Sequence, residues 1–206
     1  MGVKERKARE KEELRDRILD AARGILLRDG HGGLSIRKVA KAIEYSPGTI
    51  YLYYKDKDEL MLALHQDAFQ RKSHLFAPLM GITDYKARLE AMGRAYIQHA
   101  VTSPADFHLM FVDKCPIQRL REEGQDWHGG QTALDMLKAC LRGGQQAGVF
   151  RADLDPESMA IVLWSLVHGY AMLVDSNRIE AATPGEAPTT VLDSLFRQIN
   201  KMVVVE

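Results

Sequence analysis

One segment, residues 34–64, constrains the fold more than any other, because it predicts two short helices joined by a tight turn and then the start of a third helix. Its sequence is LSIRKVAKAIEYSPGTIYLYYKDKDELMLAL. Ser35 is a favourable N-cap for the first helix, whose apolar residues recur at the spacing of an amphipathic helix. Ser46 is a second N-cap, and Pro47 follows at the first helical position, where its missing N–H leaves no intrahelical bond unmade. The second helix is therefore predicted over residues 47–53.

Asp56 predicts the start of the third helix. Its carboxylate can accept a hydrogen bond from the backbone amide of Glu59 while the Glu59 side chain reaches back, as in a capping box. Lys57 then lies at a helix N-terminus, where its charge and the free backbone amides suit an anion such as phosphate. This turn is consequently a candidate for contact with nucleic acid.

The spacing of the second helix directs Ile50 and Tyr54 inward and leaves polar and aromatic side chains on its outside. Two helices across a turn, the second short and polar on its outer face, form the helix-turn-helix arrangement that sets its second helix in the major groove of DNA. Periodicity alone also permits a helical hairpin inside an ordinary bundle, so the spacing leaves both interpretations open.

The residues themselves favour one of the two. YSPGTIYLYYKDKDEL, residues 45–60, resembles the DNA-reading segment of the tetracycline-repressor (TetR) family, which has a small-residue turn, a Gly-Thr pair, an apolar-Tyr step, an aromatic pair and a Lys-x-Lys-x-x-Leu ending. The resemblance implies a DNA-binding transcriptional regulator. It carries DNA-contact roles onto these positions: Arg37, Pro47, Gly48, Thr49, Tyr51, Tyr53 and Lys57.

The chemistry of these side chains suits two kinds of contact with DNA. The hydroxyls of Tyr51 and Tyr53 and the ammonium of Lys57 suit phosphates, which position a protein on the duplex without reading its sequence. Thr49 and Arg37 can reach base edges, and arginine prefers guanine. The alternatives are that Tyr53 packs on a neighbouring helix and that Lys57 is simply solvated.

The net charge of the chain is zero, so a uniformly basic coat is excluded and the charge distribution has to be examined. Residues 1–58 hold 14 basic and 10 acidic side chains, and residues 59–206 hold 14 and 18, which agrees with DNA binding at the N-terminal end. Residues 1–11 are charged with almost no apolar side chains, so they are predicted as a flexible basic arm that lies along DNA or in its minor groove, or as a solvated tail.

Apolar side chains at helical spacing predict several further helices, and no segment alternates like a strand, so the fold is predicted to be all-α. The predicted helices cover residues 12–29, a long stretch from residue 56, and residues 84–102, 104–112, 130–146, 156–176 and the C-terminal stretch around 191–202. Residues 115–129 are predicted as a loop that contains at most a helical turn. The predicted domains are the arm at 1–11, a three-helix helix-turn-helix domain at 12–58, and a helical effector-binding and dimerisation domain at 59–206.

A single reading helix reaches about one major groove, so tight binding to a specific operator requires a dimer that binds two half-sites. The last two predicted helices hold more apolar side chains than one small core needs, and in the TetR family these helices commonly pair with their symmetry mates. They are therefore predicted to form a homodimer interface. The residues concerned are Met159, Val162, Leu163, Leu166, Tyr170, Leu192, Leu195 and Ile199.

A small-molecule effector site is predicted between helices of the C-terminal domain, because aromatic, methionine and polar-tipped side chains recur within its helical patterns. The alternative for each of them is ordinary core, and for His168 a histidine whose hydrogen bonds are satisfied in the core. Trp164, His168 and Gly169 also resemble a Trp-x-x-x-His-Gly pattern of one TetR subgroup. The candidates are Tyr96, His99, Phe107, Met110, Trp127, Met136, Trp164 and His168.

Several other classes of protein are disfavoured. The two cysteines, Cys115 and Cys140, are far apart and suggest neither a disulfide framework nor a zinc module, and the histidines lack a metal-binding spacing. No nucleophile, metalloprotease or phosphate-loop motif is present, so neither an enzyme nor a cofactor is expected. The longest uncharged run, residues 158–174, is short for a membrane span, and a cytoplasmic protein is expected. Rival interpretations are a ligand-binding or enzymatic helical protein, and an activator of the same fold.

Overall fold

A computed structural model describes residues 2–205, apart from the side chains of residues 3 and 72–74. These residues are almost entirely helical, and between them the one pairing of β type is an isolated bridge between Phe150 and Val204, so the all-α prediction is confirmed. A 3-10 turn, Ala77–Gly81, follows the helix that ends at Phe76. The helices are α1 Val3–Gly33, α2 Ile36–Ala42, α3 Pro47–Tyr51, α4 Lys57–Phe76, α5 Tyr85–Thr102, α6 Pro104–Phe111, α7 Lys114–Glu122, α8 His128–Gln146, α9 Pro156–Asp175, α10 Arg178–Ala182 and α11 Pro188–Val203.

The chain forms two compact units whose boundary differs from the predicted one at residues 58 and 59. The first unit comprises Met1–Phe69 and Ala105–Trp127, and the second comprises Gln70–Pro104 and His128–Glu206. The first half of α4 belongs to the first unit because its apolar side chains, such as Leu60 and Leu64, are buried in the same core as α1, α2 and α3. Leu109 and Met110 of α6 join that core too. Segments remote in sequence are therefore needed to complete the N-terminal core.

The helix-turn-helix forms as predicted because its N-caps and its buried apolar side chains specify the same two helices. The Ser35 hydroxyl accepts from the amide of Lys38 at 3.3 Å, and the Ser46 hydroxyl accepts from the amide of Thr49 at 3.2 Å. Caps of this kind stabilise a helix by about 1 kcal/mol each. Glu44, at φ 61°, adopts the left-handed conformation that ends α2 and turns the chain. The α2 side chains predicted to face inward, Ile36, Val39 and Ala40, are buried, as is Ile43 at its C-cap.

Residues 3–11 are helical rather than a flexible arm, so that prediction was wrong about their conformation. They extend α1 beyond its first buried residue, Ile18, and they bury no apolar side chain that the structure describes. Ion pairs one helical turn apart stabilise the extension, between Arg6 and Glu10 at 3.4 Å and between Arg9 and Glu13 at 3.3 Å. Each such pair adds a fraction of a kcal/mol to a helix already rich in Lys, Arg and Glu, which are good helix formers.

The second unit is a bundle in which α5 packs against α8 and α9, and α8 packs against α9. Its buried side chains include Leu89 and Met92 of α5, Leu163 of α9 and Phe196 of α11. Close packing requires a glycine at position 93, since a Cβ there would lie 2.7 Å from the ring of Phe196. This approach brings α5 and α11 together.

The region predicted as a loop, residues 115–129, contains most of α7. The sequence offers little apolar periodicity there, and the helix is anchored by two buried side chains, Pro116 and Leu120. Arg119 supplements them with ion pairs to Glu123 at 2.6 Å and to Asp56 at 3.8 Å. The partner at position 56 is distant in sequence, so periodicity gave no sign of this helix.

Candidate nucleic-acid interface and effector region

The predicted reading helix, α3, presents an open outer surface held by a well-packed inner face. Ile50 and Tyr54 are completely or almost completely buried, as predicted, whereas Tyr51 is 53% exposed and Leu52 is 79% exposed. Pro47 and Gly48 are exposed at the start of the helix. The helix ends at Tyr51, two residues earlier than predicted, and the amides of Leu52 and Tyr53 then donate to the carbonyls three residues earlier, which tightens the turn that follows. A rigid, solvent-facing helix of this kind can enter a groove without rearranging.

The two predicted base-reading residues are both on the surface of the first unit. Arg37 is exposed in the first turn of α2. Thr49 is half-buried, and its hydroxyl lies 3.1 Å from the hydroxyl of Ser46. Because Ser46 also caps α3, the Thr49 side chain is held in one orientation before any ligand arrives. The cap therefore links the stability of α3 to the placement of a candidate reading group.

Among the predicted phosphate contacts, Tyr51 is exposed but Tyr53 and Lys57 have partners within the first unit. Tyr53 is half-buried and packs against the hydrophobic core, which favours the packing alternative for its ring. The Lys57 ammonium donates to the backbone carbonyl of His31 at 3.1 Å, so it is not a freely solvated lysine. An ammonium has three N–H donors, so this bond leaves donors for a phosphate.

The turn before α4 is fixed by a capping arrangement close to the predicted one. The amide of Glu59 donates to the Asp56 carboxylate at 2.7 Å, while the Glu59 carboxylate accepts from the amide of Lys55 at 2.6 Å. The reciprocal bond thus goes to the residue before the cap. Arg119 approaches the same Asp56 from α7, and Asp113 lies 3.2 Å from the ring of His31 at the end of α1. Sequence reasoning missed both contacts because their partners are far apart along the chain.

Three of the predicted effector residues meet in the second unit. Tyr96 is almost fully buried, and its hydroxyl accepts from the Trp164 indole at 3.2 Å and lies 2.9 Å from Nδ1 of His168. Burial raises the pKa of Tyr96 and lowers the pKa of His168, so both groups are held neutral. The result is an uncharged polar cluster between α5 and α9. His99 is buried on α5, and Met136 is half-buried on α8.

The other three effector candidates, Phe107, Met110 and Trp127, belong to the first unit instead. Phe107 is completely buried and Met110 is part of the hydrophobic core, as expected of ordinary core residues. The Trp127 indole donates to Nε2 of His65 at 3.3 Å. His65 is buried, and this burial lowers its pKa to about 4. The predicted effector set is therefore divided between the two units.

The remaining chemistry of the described residues is limited. They contain no group of three or more His, Cys, Asp or Glu side chains arranged for a metal ion. Burial raises the pKa of the Cys115 and Cys140 thiols to about 11, and both cysteines are free. Since the thiolate is the nucleophilic form, these cysteines are poorly suited to nucleophilic chemistry.

Helix α9 carries the most apolar surface of the predicted dimer interface. By length and composition it is able to cross a membrane, and 28% of its most apolar stretch is buried. Val162, Leu166 and Leu173 are exposed at four- and seven-residue spacing, which places them on one face. Other members of the predicted interface, Leu163 and Tyr170, are core residues of the second unit.

Comparison with known proteins agrees with this architecture. Residues 18–64 match the family profile described as bacterial regulatory proteins, tetR family, and residues 89–198 match the profile described as tetracyclin repressor-like, C-terminal domain. The fatty acid metabolism regulator protein of Bacillus subtilis is 26% identical over 144 residues, which cover 67% of this chain and 71% of that protein.

Solved structures share the fold. A Rhodococcus protein of unknown function has a TM-score of 0.74 at 20% identity, covering 93% of this chain and 95% of that one. The transcriptional regulator FadR of Bacillus subtilis, solved in complex with stearoyl-CoA, has a TM-score of 0.68 at 16% identity, covering 90% and 97%.

Proposed function

The chain belongs to the tetracycline-repressor family of ligand-responsive, DNA-binding transcriptional regulators, and we propose that it acts as a homodimeric repressor of a palindromic operator. The family is one of transcriptional regulators rather than enzymes. The observation that supports DNA reading most directly is the exposed outer face of α3, which is held against the core by the buried Ile50 and by Tyr54 just after the helix. Cytoplasmic location is part of the same proposal.

In this proposal each protomer reads one half-site. Thr49 and Arg37 contact base edges, and Pro47, Gly48, Tyr51, Tyr53 and Lys57 contact the sugar-phosphate backbone or support those that do. Two reading helices bind successive major grooves when they are about 34–36 Å apart, or a multiple of that distance. Dimerisation is thus required for tight and specific binding.

The dimer surface is assigned to α9 and α11. Val162, Leu166 and Leu173 form an exposed apolar stripe on α9, and Met202 of α11 is also exposed. An apolar stripe on a helix is stabilised by a partner that excludes water from it. A second copy of the chain supplies the same stripe, as an interface with twofold symmetry requires.

The effector is proposed to bind the second unit near Tyr96, Trp164 and His168, where an uncharged polar cluster lies within an apolar bundle. It acts by favouring a dimer whose reading helices are spaced wrongly for successive grooves, and it shifts that equilibrium only by its difference in affinity for the two states. The relative from Bacillus subtilis that regulates fatty acid metabolism makes a long-chain acyl-CoA the first effector class to test.

The decisive experiment is a gel shift with DNA from upstream of the coding region, combined with sedimentation velocity. Native protein is expected to sediment as a dimer and to shift the DNA. Leu166→Glu places a charge on the α9 stripe and is expected to give monomers that no longer bind specifically, whereas Leu27→Glu, at an exposed leucine of α1, is the matched control. A dimer that shifts no DNA at low salt contradicts the regulator proposal.

The effector class is tested in the same assay. Stearoyl-CoA is expected to release the DNA and to raise the melting temperature of the protein, while coenzyme A without the acyl chain does neither. If both compounds leave the complex intact, the acyl-CoA proposal is wrong, and the proposal that the protein binds DNA still stands. A reporter placed behind the operator distinguishes repression from activation by the sign of its response to deletion of the regulator.

A further inference from the structure

The N-terminal extension of α1 carries a basic surface that the reading helix does not account for. Every side chain that the structure describes from residue 4 to residue 13 is exposed, so this part of the helix, about 15 Å long, extends past the core of the first unit. Lys7 and Lys11 are four residues apart, in line with the half-buried Leu14. The face of α1 that packs on the helix-turn-helix therefore continues outward as a lysine face.

This lysine face is one wall of a surface groove with a volume of about 700 Å³. The opposite wall contains Tyr45, Leu52 and Tyr53, which are the residues on either side of α3. The groove therefore lies beside the segments that enter and leave the reading helix, and its lining contains no residue of α3 itself. Both walls belong to the first unit, so its shape is fixed by that unit alone.

The charges of the groove are not balanced. Its two carboxylates, Glu10 and Glu13, are already paired with Arg6 and Arg9. Lys7 and Lys11, by contrast, form no ion pair within the part of the chain that the structure describes.

A third cation, Arg17, also lines the groove. It donates to the backbone carbonyl of Ile43 at 3.4 Å, and its guanidinium lies 5.4 Å from the centre of the Tyr45 ring. These contacts fix its position at the wall. Two uncommitted ammonium groups and one positioned guanidinium thus face a groove with aromatic walls, which is complementary to an anionic strand.

The dimensions of DNA indicate that this anionic strand is a phosphate backbone beside the reading helix. The major groove is about 12 Å wide and a helix with its side chains is about 10–12 Å across, so a phosphate backbone runs along each flank of an inserted helix. We infer that the groove between α3 and the extension of α1 receives one of these backbones, with Lys7 and Lys11 contacting its phosphates. The inference rests on the proposed function, because it takes α3 to be the helix inserted in DNA.

This assignment differs from the role of a mobile arm. A segment that is already helical before binding loses less conformational entropy on contact than a flexible arm, which has to be ordered. The contacts lie on the backbone that borders the groove read by α3 and carry no sequence information. Their contribution is therefore affinity and salt dependence, equally for all sequences.

The test is the salt dependence of binding, measured by fluorescence anisotropy with an upstream duplex and with a random-sequence duplex. Replacing both lysines, Lys7→Ala with Lys11→Ala, is expected to reduce the slope of log Kobs against log [salt] by about 3.6, since the dimer loses four phosphate contacts and each removes about 0.9. Sequence preference should be unchanged. Lys86→Ala, an exposed lysine of α5, removes a charge from the second unit and is the control.

Failure of DNA binding and failure of the lysine contacts give different results. If the native protein binds neither duplex, the regulator proposal fails. If it binds, and the double variant keeps the native slope, the groove does not hold a DNA backbone and the inference alone is overturned. Ethylation of individual phosphates gives a second measurement, in which interference is expected at backbone positions flanking each half-site for the native protein and is lost in the double variant.

Discussion

The Lys57 ammonium lies 3.1 Å from the backbone carbonyl oxygen of His31 and donates a hydrogen bond to it. His31 follows Gly30, whose backbone angles (φ 68°, ψ −178°) interrupt α1. The same carbonyl also accepts from the amide of Leu34 at 3.4 Å, so the Lys57 bond helps to fix the turn in which α1 ends. The same lysine begins α4, close to the turn that follows the reading helix. One side chain thus ties the end of α1 to the beginning of α4 and remains a candidate phosphate contact.

We expect Lys57→Ala to weaken binding to all duplexes alike and to reduce the salt slope by about 2, because each protomer of the dimer loses one phosphate contact. Anisotropy titrations at several salt concentrations measure the slope. Lys57→Arg keeps the charge and is the matched control. If Lys57→Ala keeps the native salt slope, Lys57 contacts no phosphate and its role is the hydrogen bond to His31.

Thr49→Ala and Arg37→Ala are expected to change which sequences bind, rather than how strongly all sequences bind. Each removes a group able to contact a base edge, so discrimination at one position of the half-site should fall by about 1–3 kcal/mol. Selection of binding sites from a randomised duplex measures the preference. Tyr51→Phe, which removes a hydroxyl suited to phosphate, is the control and should keep the native preference with weaker overall binding.

Local patterns predicted the helix-turn-helix well because its determinants are close in sequence. Ser35, Ser46 and Asp56 cap the helices predicted for them, and Ile50 and Tyr54 are buried as their spacing required. These features depend on neighbours within one or two turns. The resemblance to a known family could therefore be tied to particular side chains.

The remaining features depend on contacts between distant segments, which periodicity does not contain. The extension of α1 is mostly charged, and ion pairs such as Arg6 with Glu10 stabilise it in place of an apolar face. Helix α7 depends on two buried side chains and on the ion pair between Arg119 and the sequence-distant Asp56. The effector candidates fell into two units because Phe107 and Trp127 belong with the N-terminal core. A list of aromatic residues in order along the chain gave no indication of that division.

Gly93→Ala is expected to destabilise the protein by about 1–3 kcal/mol, because the added Cβ overlaps a well-packed ring. That Cβ would lie 2.7 Å from the ring of Phe196, which is itself buried. Gly24→Ala is the matched control, since a Cβ at this helical and exposed position meets nothing within 4 Å and the change should add up to about 1 kcal/mol of stability. Chemical denaturation of both variants measures the difference. Equal stabilities would contradict the packing of α5 against α11.

Tyr96→Phe is expected to reduce the response to the effector by removing the hydroxyl that accepts from Trp164 and contacts His168. The loss of a buried hydrogen-bonding group should also lower stability by about 1–3 kcal/mol. The chain has two tryptophans, so in a Trp127→Phe background the fluorescence reports Trp164 alone. Titration with stearoyl-CoA should change that fluorescence in the native cluster and much less in Tyr96→Phe. An equal change in both would place the effector elsewhere.

His65 is expected to make the stability of the first unit depend on pH. Its side chain is almost fully buried on α4, and burial lowers its pKa to about 4 from an ordinary value near 6.5. The unfolded chain therefore binds a proton that the folded chain does not bind between these two values. Stability is complete above pH 6.5 and falls as the pH decreases toward 4, by roughly 3 kcal/mol at most.

Denaturation at pH 7.5 and at pH 5 measures this dependence. His65→Gln has no imidazole to protonate, so its stability should be lower than native at pH 7.5, where the native bond from Trp127 is intact, and should change less between the two pH values. His128→Gln replaces an exposed histidine and should keep the native pH dependence. Since the Trp127 indole donates to Nε2 of His65, protonation of that nitrogen removes an acceptor, and the packing of Trp127 should loosen only as the pH falls through the folded-state pKa of about 4. Trp127 fluorescence of the folded protein in a Trp164→Phe background should therefore change near pH 4, below most of the range in which stability is lost. A native pH dependence of stability in His65→Gln would assign the titration to another group.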